Sequence, residues 1–218
     1  QPTILRRQRQ MCIRDSGSTT GMTLASGATI NVDAGEITHM LADETAGRLT
    51  ISDQKITVTN AISVDNANLL DATTTGVVTA SITTTETVDE LKTLTGTGNA
   101  YTIVIAAGDA TGSTAAEFNT INDATTVAVD LTNVTALAGS SLSDLGTLAT
   151  AINSSEFSNA TGLTTIAVTD TTIDATTLAT RIDSYDTING GSTTGMTLAA
   201  GATINVDAGE ITDMLADE

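Results

Sequence analysis

The segment "GSTTGMTLASGATINVDAGEITHMLADE" at residues 17–44 returns as "GSTTGMTLAAGATINVDAGEITDMLADE" at residues 191–218. The copies differ only at Ser26/Ala200 and His39/Asp213, so 26 of 28 positions agree at an offset of 174 residues. One packing scheme has to accept the same segment twice, which restricts the chain to architectures assembled from repeated units. The reading this supports is one 174-residue period of a longer array. The alternative is two joined reads of a single locus.

A shorter period lies inside the long one. Thr-rich apolar strands are expected at "GMTLA", "RLTIS", "VVTASI", "AYTIVI", "TVAVDL", "LTTIAV" and again "GMTLA". Anchored on Met22, Leu49, Val78, Thr102, Ala128, Ile166 and Met196, they make six steps of about 29 residues, a spacing typical of solenoid repeats. Further short strands are expected at "ATINVD", "KITVTN" and "NVTAL".

Helical spacing follows most of the strands. Val88, Leu91 and Leu94 share one face, as do Ala115, Phe118 and Ile121, then Leu142, Leu145, Leu148 and Ile152, then Ala175, Leu178 and Ile182. Ser113 or Thr114 is placed to cap the second of these. Helices this short are marginal alone and hold only against a packed surface. The sequence therefore predicts an α/β fold: a right-handed solenoid of strand, optional second strand and short helix, with a parallel sheet along one wall. Val78, Ile103, Val129 and Val168 are expected to be buried in adjacent parallel strands, with Leu91, Phe118, Leu145 and Leu178 facing them from the helices. An all-β parallel solenoid is the alternative. The Ala- and Leu-rich "AAEF" and "ELKTL" favour helices over it.

Composition bears on what such a stack can do. Threonine supplies 46 of 218 residues, a β-branched hydroxyl suited to half-buried strands, while two Tyr, two Phe and no Trp leave the core to small aliphatic contacts. Residues 1–16, "QPTILRRQRQMCIRDS", hold four of the eight basic residues, the only Pro and the only Cys. The string "RQMCIRDS" resembles translated sequencing-adapter read-through, so this stretch is expected to be a non-native or disordered leader; a basic nucleic-acid arm is the alternative. Residues 17–218 form the expected repeat domain. They carry 25 acidic residues against four basic ones, a net charge of −21. That disfavours nucleic acid and anionic membrane surfaces as partners, and no apolar stretch is long enough for membrane insertion.

"GVVTASI" followed by "TVDELKTLTGTGNAYTIVI" resembles the very long Thr/Asp/Ala-rich repeat proteins predicted in marine bacteria, most closely over residues 73–131. The resemblance implies a solenoid at the cell surface or in the extracellular space, with no catalytic residues to carry over. Its partners would be neighbouring repeats of the same chain and cell-surface or extracellular polymers.

Aspartates recur at or just after strand ends: Asp33, Asp65, Asp109, Asp130, Asp170 and Asp207. A carboxylate at such a place accepts backbone N–H groups or caps a helix. A ladder of them along a stack is also a candidate Ca²⁺ site. The Gly-rich nonapeptide and EF-hand patterns of Ca²⁺ proteins are missing. His39 is the only histidine and is replaced by Asp213 in the second copy, which argues against a catalytic or zinc role. The glycines of "GDATG" and "GTGN" lack the flanking residues of a phosphate loop. Thr57 and Thr59 form a Thr-x-Thr pair of the kind that orders ice, but neighbouring strands do not repeat it. The expected function is a non-catalytic structural or adhesive repeat segment of a large secreted or cell-surface protein. A Ca²⁺-dependent adhesion module is the first alternative, and a polysaccharide-active enzyme on a β-helix is the second.

Overall fold

The structure, a computed structural model, describes residues 21–207. Thirteen short strands are described: β1 (Met22–Thr23), β2 (Thr29–Asp33), β3 (Leu49–Thr50), β4 (Lys55–Ile62), β5 (Val78–Ile82), β6 (Ala100–Thr102), β7 (Val129–Asp130), β8 (Ala136–Ser140), β9 (Phe157–Ser158), β10 (Thr165–Val168), β11 (Thr172–Asp174), β12 (Gly195–Thr197) and β13 (Thr203–Asn205). They pair as β1-β3, β2-β4-β5-β6, β7-β9, β8-β10-β12 and β11-β13. Every one of these pairings is parallel. Partners lie from 20 residues apart in sequence, as Ile62 and Ile82, to 31 apart, as Thr172 and Thr203.

Parallel neighbours need a crossover, and helices supply it. They span Ile37–Thr45, Val64–Thr73, Val88–Leu91, Ala115–Asp123, Leu142–Asn153 and Ala175–Ile188. The class is therefore α/β, with several small parallel sheets. The helix starts follow from local chemistry. Thr87 and Thr114 each cap the N3 amide and are answered by Glu90 and Glu117 in reciprocal capping boxes, while Ser63, Ser141 and Asp174 cap three others.

Strand alternation and helix periodicity deliver side chains to a common core. In β5, Val78, Ala80 and Ile82 are buried while Thr79 and Ser81 are exposed. Val78, Ile103, Val129 and Val168 lie in one buried cluster with Leu91, Phe118, Leu145 and Leu178, as expected, but not in adjacent strands: Val78, Val129 and Val168 belong to three separate sheets, in β5, β7 and β10, and Ile103 lies just past β6. Ile152 and Ile182 only border that cluster.

The expected single ladder is corrected by the pairing. Met22 does lie beside Leu49, and Ile166 beside Met196. Val78, however, pairs with Ile56 of β4 and not with Leu49, and Ile166 pairs with Leu137 of β8. Val129 lies beside Phe157, in a strand the sequence pattern did not reveal. The two strands of a unit are both short, Thr-rich and alternating, so pattern alone does not say which wall each joins.

Candidate functional site

The six aspartates are placed singly, and each described bond goes to structure. Asp33 accepts the Gly35 N–H at 3.0 Å on Oδ1, and the Asn60 amide at 2.7 Å on Oδ2. Asp130 repeats this, accepting the Thr132 N–H at 2.8 Å and the Asn159 amide at 2.9 Å. Asn60 and Asn159 adopt φ of 73° and 57°, a left-handed conformation that Asn tolerates better than most residues. Each aspartate is thus tied to an asparagine 27 or 29 residues later.

Asp109 and Asp170 do a second job. They accept the Val88 N–H at 3.2 Å and the Leu142 N–H at 2.7 Å, the first amides of helices that precede them by 21 and 28 residues. Between them, Ser140 Oγ accepts the Ala115 N–H at 2.9 Å. Three consecutive helices therefore have their first amide satisfied from the following segment, while their own Thr or Ser caps satisfy N3. Free first-turn amides are what a helix start must otherwise leave to water. Asp65 lies in the first turn of Val64–Thr73. Asp207 ends the described residues and is also engaged. Among the described residues, no three His, Cys, Asp or Glu side chains converge in a group able to hold a metal ion. His39 is exposed on the helix Ile37–Thr45.

Threonine hydroxyls and amide side chains make the same kind of bond between segments. Buried Thr125 donates to Tyr101 O at 2.8 Å and accepts the amides of Tyr101 and Val127 at 3.0 and 3.1 Å. Thr74 donates to Gln54 O at 2.6 Å and accepts the Gly76 N–H at 3.0 Å. Asn99 accepts the Val78 N–H at 2.9 Å and donates to Asp71 at 2.8 Å. Buried polar atoms need such partners, and here the neighbouring segment provides them.

The sequence reading missed one concave site. A groove of about 500 Å³ runs along the helices and is lined by Asn119, Asn122, Ser143, Thr147, Glu156 and Arg181, among others. A second groove of about 510 Å³ shares Asn122, Asp123 and Glu156 with it. Half-buried Arg181 donates from Nε to Leu142 O at 3.1 Å and lies over Gly146, where a Cβ would meet its guanidinium. Asn122 donates to Glu156 at 2.7 Å, whereas Asn119 Oδ1 is buried without a partner. Upstream, Lys92 bridges Asp89 at 2.6 Å and Glu117 at 2.9 Å. Burial pushes the Glu117 carboxyl up, but bonds from Thr114 and the Lys92 ammonium outweigh it and hold the group below its ordinary value. Asn122 and Glu156 are 34 positions apart and Lys92 and Glu117 are 25 apart, and lateral helix packing brings them together, so spacing gave no signal.

Compared with family models, curated proteins and solved structures, the chain has no match.

Proposed function

We propose that the chain is a segment of a right-handed solenoid, non-catalytic, whose work in a large secreted or cell-surface protein is mechanical or adhesive. What supports the reading is the destination of its polar side chains. Besides their local turn and cap bonds, aspartates, threonines and asparagines that an enzyme would gather at one place, among them Asp33, Asp130, Thr74, Thr125, Asn99 and Asn133, bond singly to a segment 20 to 30 residues away. A chain organised this way transmits load from neighbour to neighbour and has binding capacity spread along its faces. Its partners are then the neighbouring repeats of the same chain, with cell-surface or extracellular polymers along the exposed faces.

Pulling on the two ends tests the architecture. A stack yields in steps, each releasing one unit of about 29 residues, or about 100 Å at roughly 3.4 Å per residue. A single all-or-none release of the whole length would overturn it. Location is tested by labelling intact source cells with an antibody raised against the full chain. Label confined to permeabilised cells would overturn the surface role.

A further inference from the structure

Among the described basic residues, Arg48 is neutralised by Asp43 and Lys92 by Asp89 and Glu117, while Lys55 is exposed. Arg181 is the exception. It is half-buried, and among the described residues it has no carboxylate partner, in a chain where carboxylates are in large excess. Its Nε is spent on Leu142 O at 3.1 Å, which holds the guanidinium over Gly146 and leaves the Nη groups without an acceptor among the described residues. Gly146 makes that placement possible, because a side chain there would occupy the guanidinium's position.

The unpaired guanidinium lines a run longer than one cavity. The grooves of about 500 and 510 Å³ share Asn122, Asp123 and Glu156, and each is within the usual size of a ligand site. Arg181 lines the first alone, Asp123 and Glu156 lie where the two meet, and the hydroxyl-bearing Thr126, Ser154 and Ser155 line the second. In the wall of the first, Asn119 Oδ1 is a buried acceptor without a donor. Every lining residue falls within 98–181, well inside the described chain.

This mixture of groups selects among ligands. An anion would meet Asp123 and Glu156, and before them the field of a segment carrying −21 over residues 17–218. A cation would meet Arg181. A hydroxyl both donates and accepts, so a row of hydroxyls answers the Nη donors, the Asn119 oxygen and the two carboxylates in turn. A run extending through two cavities suits a chain of such units better than a single one.

We propose that this run binds a strand of neutral polysaccharide, with Arg181 donating to a sugar oxygen and Asp123 and Glu156 accepting from sugar hydroxyls. The choice of a polymer over a free sugar rests on the adhesive reading above. The described linings hold no aromatic ring for a sugar to stack on, so each contact is weak and adhesion comes from its repetition along the polymer.

Two-dimensional ¹H–¹⁵N NMR of the full chain tests it, titrated to millimolar concentrations of cellohexaose, maltohexaose, laminarihexaose and mannohexaose, with oligogalacturonate as the acidic counterpart. At least one neutral hexaose is expected to give saturable shifts at the Asn119 and Asn122 side-chain amides and at Arg181 Nε, with oligogalacturonate giving none. Arg181→Gln removes the unpaired donors, and Thr147→Tyr fills the groove from an exposed helix position. Each is expected to weaken binding at least tenfold, while Arg48→Gln leaves it unchanged. Where circular dichroism finds Arg181→Gln unfolded, Thr147→Tyr carries the comparison, since its side chain replaces an exposed one. No shifts with any neutral hexaose, shifts with oligogalacturonate alone, or full binding by folded Thr147→Tyr would each overturn the proposal. Labelled intact cells with no hexaose binding overturn the groove and leave the surface role standing; hexaose binding with label confined to permeabilised cells upholds the groove and overturns the surface role.

Discussion

The helix Val88–Leu91 has 4 residues and the helix Ala175–Ile188 has 14, yet both lie in crossovers between parallel strands. Around the first, Thr79 and Ala100 are partners 21 residues apart; around the second, Thr172 and Thr203 are partners 31 apart. The ten residues gained in spacing equal the ten gained in helix. Strand geometry fixes the distance between neighbours, so a change in unit length has to be absorbed where the chain crosses over. The short helix buries only Val88 and Leu91, whereas the long one buries Ala175, Leu178, Tyr185 and Ile188. What the short helix lacks in apolar contact it makes up with its capping box, Asp109 and the Lys92 bridges.

The largest effect is expected where the two regions meet. Phe118, fully buried in Ala115–Asp123, belongs to the core that serves both. Phe118→Ala should cost about 3 to 5 kcal/mol. Urea unfolding would check it. A loss confined to one region, read by amide exchange, would mean that the narrow and wide regions hold independently.

The next effect separates the regions by backbone clearance. A Cβ at Gly76, at the start of the narrow region, would meet Gln54 O at 2.5 Å and Asp53 O at 2.7 Å, both rigid backbone atoms. Gly76→Ala should cost about 1 to 3 kcal/mol. At Gly146 in the wide region the obstacle is the Arg181 guanidinium, the far end of a flexible side chain. Alanine there also gains about 1 kcal/mol of helix propensity. Gly146→Ala should therefore leave the urea midpoint nearly unchanged, and an equal loss at both positions would show that the wide region is as tight as the narrow one.

How much of this could be read in advance differs by level. The helices were legible because Leu91, Phe118, Leu145 and Leu178 sit in 3.6-residue patterns behind Thr, Ser or Asp caps, a signal local to about ten residues. Asp33, Asp109, Asp130 and Asp170 were legible in kind, as carboxylates that accept backbone N–H groups. That Asp109 and Asp170 would cap the preceding helix and not the following one was hidden, because the choice depends on how segments stack. Pairing partners were hidden for a related reason. Val78 and Leu49 both sit in short Thr-rich strands, and whether Val78 lies beside Leu49 or Ile56 is decided by tertiary register. The strand at Phe157 carries two residues, too few for any alternation to be seen. The groove around Arg181 depends on side chains from three helices and left no mark in sequence spacing.

A third comparison uses the two tyrosines, one for each region. Tyr101 and Tyr185 are both fully buried, and each donates its hydroxyl to a helix carbonyl, Tyr101 to Ala67 O at 3.4 Å and Tyr185 to Leu145 O at 3.0 Å. The shorter bond has the better geometry. Tyr185→Phe should cost about 1 kcal/mol, a typical net hydrogen bond, and Tyr101→Phe measurably less. The reverse order in thermal melts would show that the narrow region depends more on this polar tie than its distance suggests.

Charge gives a smaller difference. Burial pushes the Glu86 carboxyl up from its ordinary value, and repulsion from Glu90 and Asp65 adds to it, so like charges are crowded around the narrow crossover. Added NaCl should raise the melting temperature by a few degrees, on the order of 1 kcal/mol for a chain of this size. CaCl₂ at matched ionic strength should give the same curve, because Asp33, Asp109, Asp130 and Asp170 already accept N–H groups. A further rise specific to calcium would revive the carboxylate ladder as a metal site.

The smallest effect concerns the bridge that ties Val88–Leu91 to its neighbour. Glu117 is held below its ordinary carboxyl value by Thr114 and Lys92, against the opposing pull of burial. A carboxylate depressed in the folded state stabilises above its unfolded value and loses that contribution as the pH falls through the folded one. The Lys92 ammonium is shifted the other way by its bonds to Asp89 and Glu117, so its contribution is present below its ordinary value and is lost only in strong base. Between these limits the bridge is intact. Glu117→Gln removes the charge but keeps the size, so its stability should fall below wild type near neutral pH and converge with it in acid. Urea midpoints measured from pH 7 downward would show the two curves closing. Parallel curves would mean that Glu117 acts through its capping box alone and that the short helix does not need the lysine.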